Sequence, residues 1–178
     1  MKTNAIMLTI VTLAMALLIA CTQNQVLASL EASVTATETL VASLEVAGKI
    51  SPSIADEIET AIADLPDAYR ETAAELSSSD SAAARAAKIA GYYSATIVAL
   101  KALPPEAQVY ASAISASIQA FLSALQPAQA TRSAARGAEA GKFDVKRLNA
   151  IAVRADVLGV QLAALKANAA KAGEAGTR

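Results

Sequence analysis

Histidine and tryptophan are absent from this chain of 178 residues, cysteine occurs once, and the three methionines all fall within the first 15 positions. Each absence removes a class of chemistry. Without histidine there is no Cys/His zinc site, no His–Met haem ligation, and general acid–base catalysis loses its commonest residue. A single thiol excludes any disulfide within the chain. The seven glycines form no phosphate-cradling cluster. Aromatics are only 3% of the residues and no alternating β-branched run appears, so strands are not expected. The formal net charge of −1 offers no footprint for nucleic acid. No catalytic residue, metal ligand or cofactor is assigned, and the reading is of a protein that is not an enzyme.

What is present begins with an apolar run. Residues 5–20 carry no charge, Lys2 precedes them, and the run ends in Leu18-Ile19-Ala20-Cys21 before turning polar at Thr22-Gln23-Asn24-Gln25. A basic start, a short apolar stretch and small residues at the end are the pattern of a secretory signal. The tetrapeptide resembles the lipobox of bacterial lipoproteins, in which an aliphatic residue, a tolerant position and a small residue precede the lipidated cysteine. That resemblance covers the first 21 residues. It implies cleavage between Ala20 and Cys21, and a covalent diacylglycerol and N-acyl lipid, such as palmitate, on Cys21. Two acyl chains give a stable anchor where one gives only marginal binding. Two other readings stand beside it: an uncleaved membrane anchor, although a span takes about 20 apolar residues, and an ordinary signal peptide in which Cys21 is incidental. In the sorting rule of the enterobacterial members, Asp after the cysteine retains a lipoprotein at the inner membrane. Thr22 stands there, which implies the outer membrane, facing the periplasm, in a Gram-negative host. The heptad-patterned, alanine-containing murein lipoprotein is also similar. Its members end in a Lys joined to peptidoglycan where this chain has Arg178, so that activity is not carried over.

The rest reads as helix. Alanine is about a quarter of the chain and has the highest helix propensity. In a first helix near 24–47, Leu27, Leu30, Val34, Thr37, Val41 and Leu44 step 3-4-3-4-3, the spacing of an apolar seam, with Gly48 as its stop. Ser51-Pro52 reads as N-cap and first helical position. The stripe Ile54, Ile58, Ile62, Leu65, Tyr69, Ala73, Leu76 then passes through Pro66, which favours one kinked helix over two. Asp80 is the expected N-cap of a third helix over 81–102, with Ala83, Ala86, Ala90, Tyr93, Ile97 and Leu100 inward. Pro104-Pro105 opens a fourth helix carrying Tyr110, Ile114, Ile118, Phe121 and Leu125, and Gln126-Pro127 is expected to stop it. Residues 128–142 are read as a long loop or a partly helical extension. The last helix starts near Asp144 and keeps heptads through Leu148, Ile151, Ala155, Leu158, Leu162, Leu165 and Ala169. Short connections make neighbouring helices antiparallel. The expectation is an all-α, antiparallel up-down bundle of four to five helices, spanning 21–172 after a signal helix over 1–20, with 173–178 as a frayed tail.

Charge is unevenly spread. Residues 21–80 hold 11 acidic and two basic side chains, and residues 81–178 hold five acidic and 12 basic. Either the two halves pack and neutralise each other, or a basic face meets anionic lipid or cell-wall polymer. Lys142, Lys146 and Arg147 form the candidate cluster for such a surface. On the heptads, Glu31, Glu38 and Glu45 occupy e positions of the first helix, and Arg147 and Arg154 occupy g positions of the last. In an up-down bundle of five, the first and fifth helices run parallel, and e–g′ pairs are the contacts of a parallel pair. These five residues are therefore the expected inter-helix ion pairs. Glu71 and Glu75 lie one turn apart and read as a solvated acidic face rather than a metal pair. Tyr92, Tyr93 and Tyr110 read as core or boundary residues, or alternatively as lining for a ligand cavity. The functional expectation is a membrane-anchored helical module that braces, adapts or binds another envelope protein. The alternative is a carrier enclosing a lipid or other apolar molecule.

Overall fold

Alanine-rich segments with a leucine or isoleucine every third or fourth residue can satisfy their backbone only as helices and their apolar stripes only against one another. In the computed structural model, backbone is described for residues 2–45, 50–134 and 143–175, and side chains for 23–44, 50–81, 83–126 and 143–168. Six helices follow in order: α1 (Lys2–Glu45), α2 (Pro52–Ile62), α3 (Leu65–Ser77), α4 (Ala82–Ala102), α5 (Pro105–Ala134) and α6 (Val145–Ala175). No strand occurs among the described residues. The fold is an all-α helical bundle.

The rods form a ring. α1 packs on α5, α5 on α4, α4 on α3, α3 on α6, and α6 returns to α1. The pairs Glu75–Lys88 and Thr72–Tyr93 show that α3 and α4 run antiparallel. Arg70–Asp156 and the approach of Pro66 to Gly159 show the same for α3 and α6. The α6–α1 contact is the parallel one. The core runs down the centre through Leu30, Val34, Ile58, Ile62, Leu65, Ile89, Ile114, Ile118, Phe121, Ile151 and Leu158, all essentially without solvent exposure.

Two prolines behave differently, and burial explains why. Pro66 would free the carbonyl of Ile62, a residue with no exposed surface. No water can reach that group, so the expected kinked helix is instead two helices. The chain turns at Ala63-Asp64 and restarts with Pro66 in the first turn of α3, where a missing N–H costs nothing. Pro127 would free the carbonyl of Ser123, an exposed residue, where water can take the place of the lost N–H. The expected stop at Pro127 is therefore absent: α5 continues to Ala134, so 128–134 is helix and not loop. The remainder of that segment, including Lys142, lies outside the described residues, as does Gly48.

Helix ends are closed by side chains. Ser51 accepts from the N–H of Ile54 at 3.4 Å, with Pro52 at the first helical position as its type prefers. The cap of α4 is Ser81, accepting from Ala84 N at 3.3 Å, and not Asp80, which turns to Lys88 instead. Arg85 reaches back to the carbonyls of Leu76 (3.5 Å) and Ser78 (3.3 Å) and so closes the end of α3. Gln108 donates to the carbonyls of Leu103 (2.7 Å) and Lys101 (3.1 Å), fastening the α4–α5 corner. Asp144 accepts from Lys146 N at 2.9 Å and caps α6.

The inward face of α4 differs from the expected one. Ala83 and Ala90 are exposed, and the buried stripe is Arg85, Ile89, Tyr93, Thr96 and Leu100, followed by Leu103 just past the helix end. Alanine loses little by facing water, so burial of Ile89 and Tyr93 sets the rotation of this helix. On α5, Tyr110 is exposed, and Ala107 and Ala111 take the inward positions beside Ile114.

Candidate functional site

The α1–α6 contact gathers the charges that the heptads single out. Arg147 lays its guanidinium against both carboxylate oxygens of Glu31, Nε to Oε1 at 2.8 Å and Nη2 to Oε2 at 2.7 Å. It also donates to Asn24 Oδ1 at 3.3 Å. Seven residues along both helices, Arg154 repeats the fork on Glu38, Nε to Oε1 at 2.8 Å, and donates to Thr35 Oγ1 at 2.7 Å. Equal steps on both helices are the signature of parallel helices in heptad register. The side chains are about one-third exposed. The hydrogen bond from Arg147 holds the Glu31 carboxyl below its ordinary pKa, against the opposing pull of burial. Glu31 and Glu38 in turn raise the guanidinium groups facing them. Glu45 is the last residue of α1, and its side chain lies outside the described residues. Arg147 is thus engaged with Glu31, and of the basic cluster at the start of α6 the described, exposed member is Lys146.

A second polar group lies in the core. Tyr69 of α3 is fully buried, and its hydroxyl meets Ser33 Oγ at 2.8 Å and Thr37 Oγ1 at 2.9 Å, both on α1. Thr37 spends its own proton on the Ser33 carbonyl at 3.0 Å. Proton counting then sets every direction: Ser33 Oγ donates to Tyr69, Tyr69 donates to Thr37, and Thr37 donates to the backbone of Ser33. The loop closes on the residue where it began. Burial pushes the Tyr69 phenol up to about 12. Its ring meets that of Tyr93 at 5.9 Å between centroids, and Tyr93 meets Phe121 edge-on at 5.8 Å. Tyr93 accepts from Thr72 at 3.0 Å, and burial raises it well above the ordinary phenol range. An aromatic column from three helices therefore runs through the bundle's middle. Tyr92 is half-buried and Tyr110 exposed.

The third cluster sits at the α3–α4 turn. Glu75 is nearly buried rather than solvated, with Lys88 Nζ at 3.3 Å and Ser78 Oγ donating at 3.3 Å, while Glu71 faces water. Lys88 also pairs with Asp80, whose carboxyl is held low by that contact. Among the described residues no cluster of three or more acidic or thiol side chains of metal-binding type occurs. The pairs Glu31–Arg147, Glu38–Arg154, Glu75–Lys88 and Asp80–Lys88 all join the acidic first half to the basic second half. Two buried polar atoms among the described residues have no partner, Thr96 Oγ1 and Arg85 Nε.

Cys21 and Ala20 lie on the backbone of α1, and their side chains are outside those described. Compared with models of protein families, with characterised proteins and with solved structures, the chain matches none.

Proposed function

We propose that this protein is a bacterial lipoprotein, anchored through lipid on Cys21 and presenting its helical bundle as a structural, adaptor or protein-binding module on the periplasmic or extracellular side, which in a Gram-negative host is the periplasmic face of the outer membrane. The observation that carries the reading is Leu18-Ile19-Ala20-Cys21 at the end of an uncharged run. The bundle's polarity supports it. Because α1 and α6 are parallel and Arg147 touches Asn24, the start of α6 lies at the same end as residue 21. With that end toward the membrane, the exposed Lys146 supports a contact with anionic headgroups. The packed aromatic column of Tyr69, Tyr93 and Phe121 in the core supports a bracing or binding role over a carrier.

The test is metabolic labelling with a radioactive fatty acid in bacterial cells. The native chain takes up label and fractionates with membranes, and Cys21→Ser loses the label and accumulates as the longer precursor. Label that persists in Cys21→Ser, or a native chain without label, overturns the assignment.

A further inference from the structure

Helix α6 has two apolar seams and the bundle uses one of them. The inner seam, Leu148, Ile151, Ala155, Leu158 and Leu162, is buried. On the opposite side Val153, Val157 and Val160 are 62%, 53% and 70% exposed, and Ala150, Ala164 and Ala167 are exposed with them. These six positions step 3-4-3-4-3 without a charge among them, the a/d spacing of a second coiled-coil seam. Apolar valines in line on a surface mark an interaction site rather than scattered exposure.

We propose that this outer seam of α6 pairs in parallel with the same seam of a second copy of this chain. Three observations choose that occupant. A helix lying on lipid carries free lysines or arginines along its flanks, whereas along residues 150–167 the cations flanking this seam, Arg154 and Arg70, are engaged with Glu38 and with Asp156, and the exposed Lys146 lies one turn before the seam begins. A second helix matches the spacing, and between residues 150 and 167 self-pairing brings no like charges together. In parallel register the flanking positions set Asn149 against Arg154 of the other copy and Asp156 against its Gln161. The seam's size also fits. Eighteen residues make a ridge of about 27 Å, which covers less than the roughly 800 Å² per partner of a standard interface. Such a contact suits two copies held on one surface, where effective concentration is high. The parallel direction and the gain in effective concentration rest on the anchor proposed above, which holds both copies on one surface and the same way up; the exposed seam itself does not.

The single native cysteine makes the test clean. The full-length chain carrying Ala150→Cys, Val157→Cys or Val98→Cys is treated in bacterial membranes with a short bismaleimide. Val98 is equally exposed, at 67%, but lies on α4. The expected result is a covalent homodimer at Ala150→Cys and at Val157→Cys, absent at Val98→Cys, and lost from Ala150→Cys when Val157→Lys is added. No dimer at Val157→Cys, an equal dimer at Val98→Cys, a dimer at Val157→Cys alone, or an adduct of another mass overturns the proposal. A dimer of the unsubstituted chain through Cys21 overturns the lipid anchor instead, and the seam is then read from the same variants in a Cys21→Ser background.

Discussion

Tyr69→Phe removes one oxygen from the middle of the bundle, and the hydrogen-bond loop on Ser33 gives its cost. Thr37 keeps its bond to the Ser33 carbonyl, but Ser33 Oγ loses its acceptor in a site with no exposure. A buried hydroxyl left unpaired costs about 1–3 kcal/mol. Rotation of Ser33 toward its own helix recovers part of that, so about 1–2 kcal/mol is expected, or about 3–6 °C in Tm for a chain this long. Urea unfolding followed by helical circular dichroism measures it. Adding Ser33→Ala removes the orphaned group as well, so the double variant should be more stable than Tyr69→Phe alone. A pH arm sharpens the test. The folded phenol titrates at about 12, pushed up by burial, and the unfolded one at about 10. Between those values the folded state holds a proton that the unfolded state has released. Native stability therefore falls as pH rises above 10, by about 1.4 kcal/mol per unit from this group. Phenylalanine has no such proton, so the gap between native and Tyr69→Phe narrows over pH 10–12. A variant as stable as the native chain at pH 7, or a gap that stays constant above pH 10, would refute the reasoning.

The Arg147–Glu31 fork predicts coupling of about 1 kcal/mol, the upper end for part-exposed pairs: Glu31→Lys with Arg147→Glu should unfold at higher urea than the sum of the two single changes allows. The same fork has an acid signature. Glu31 titrates below its ordinary value when folded, so its stabilisation is complete above the unfolded value and is lost as pH falls through the folded one. Arg147→Gln should move the acid-unfolding midpoint upward. Gly91→Ala meets no heavy atom within 4 Å and should raise stability by about 0.5–1 kcal/mol through helix propensity, read as a higher urea midpoint.

Much of this architecture is legible in the chain, for reasons specific to each element. α1 and α6 are plain because leucine, isoleucine and valine hold the seam positions and charges stand beside them. The facing of Glu31 and Glu38 toward Arg147 and Arg154 follows from heptad register once the two helices run parallel. α4 is opaque because its buried stripe contains Arg85 and Thr96, while alanine sits on both faces alike. The fate of each proline depends on whether the carbonyl four residues back reaches water, a tertiary property that local pattern does not carry. Ser33 and Thr72 look solvent-facing until tyrosines from neighbouring helices meet them, so the core network was missed. The signal that points to it is Thr37, a polar residue on an otherwise apolar seam. The outer seam of α6 is hidden behind the stronger inner one, since both share one apolar helix of mean hydropathy 1.4.

The unbroken run of α1 from Lys2 to Glu45 has a mechanical meaning. No glycine or proline separates residue 21 from the first core residues, Val26 and Leu27, and the four polar residues between them continue the helix. Whatever holds residue 21 grips a rod and not a tether. The bundle then inherits the tilt and rotation of its foot, and a torque applied there is felt at the far corner between α4 and α5. Its height above the foot is set by some 24 helical residues at about 1.5 Å each, near 36 Å, a ruler whose length does not fluctuate as a flexible leash would.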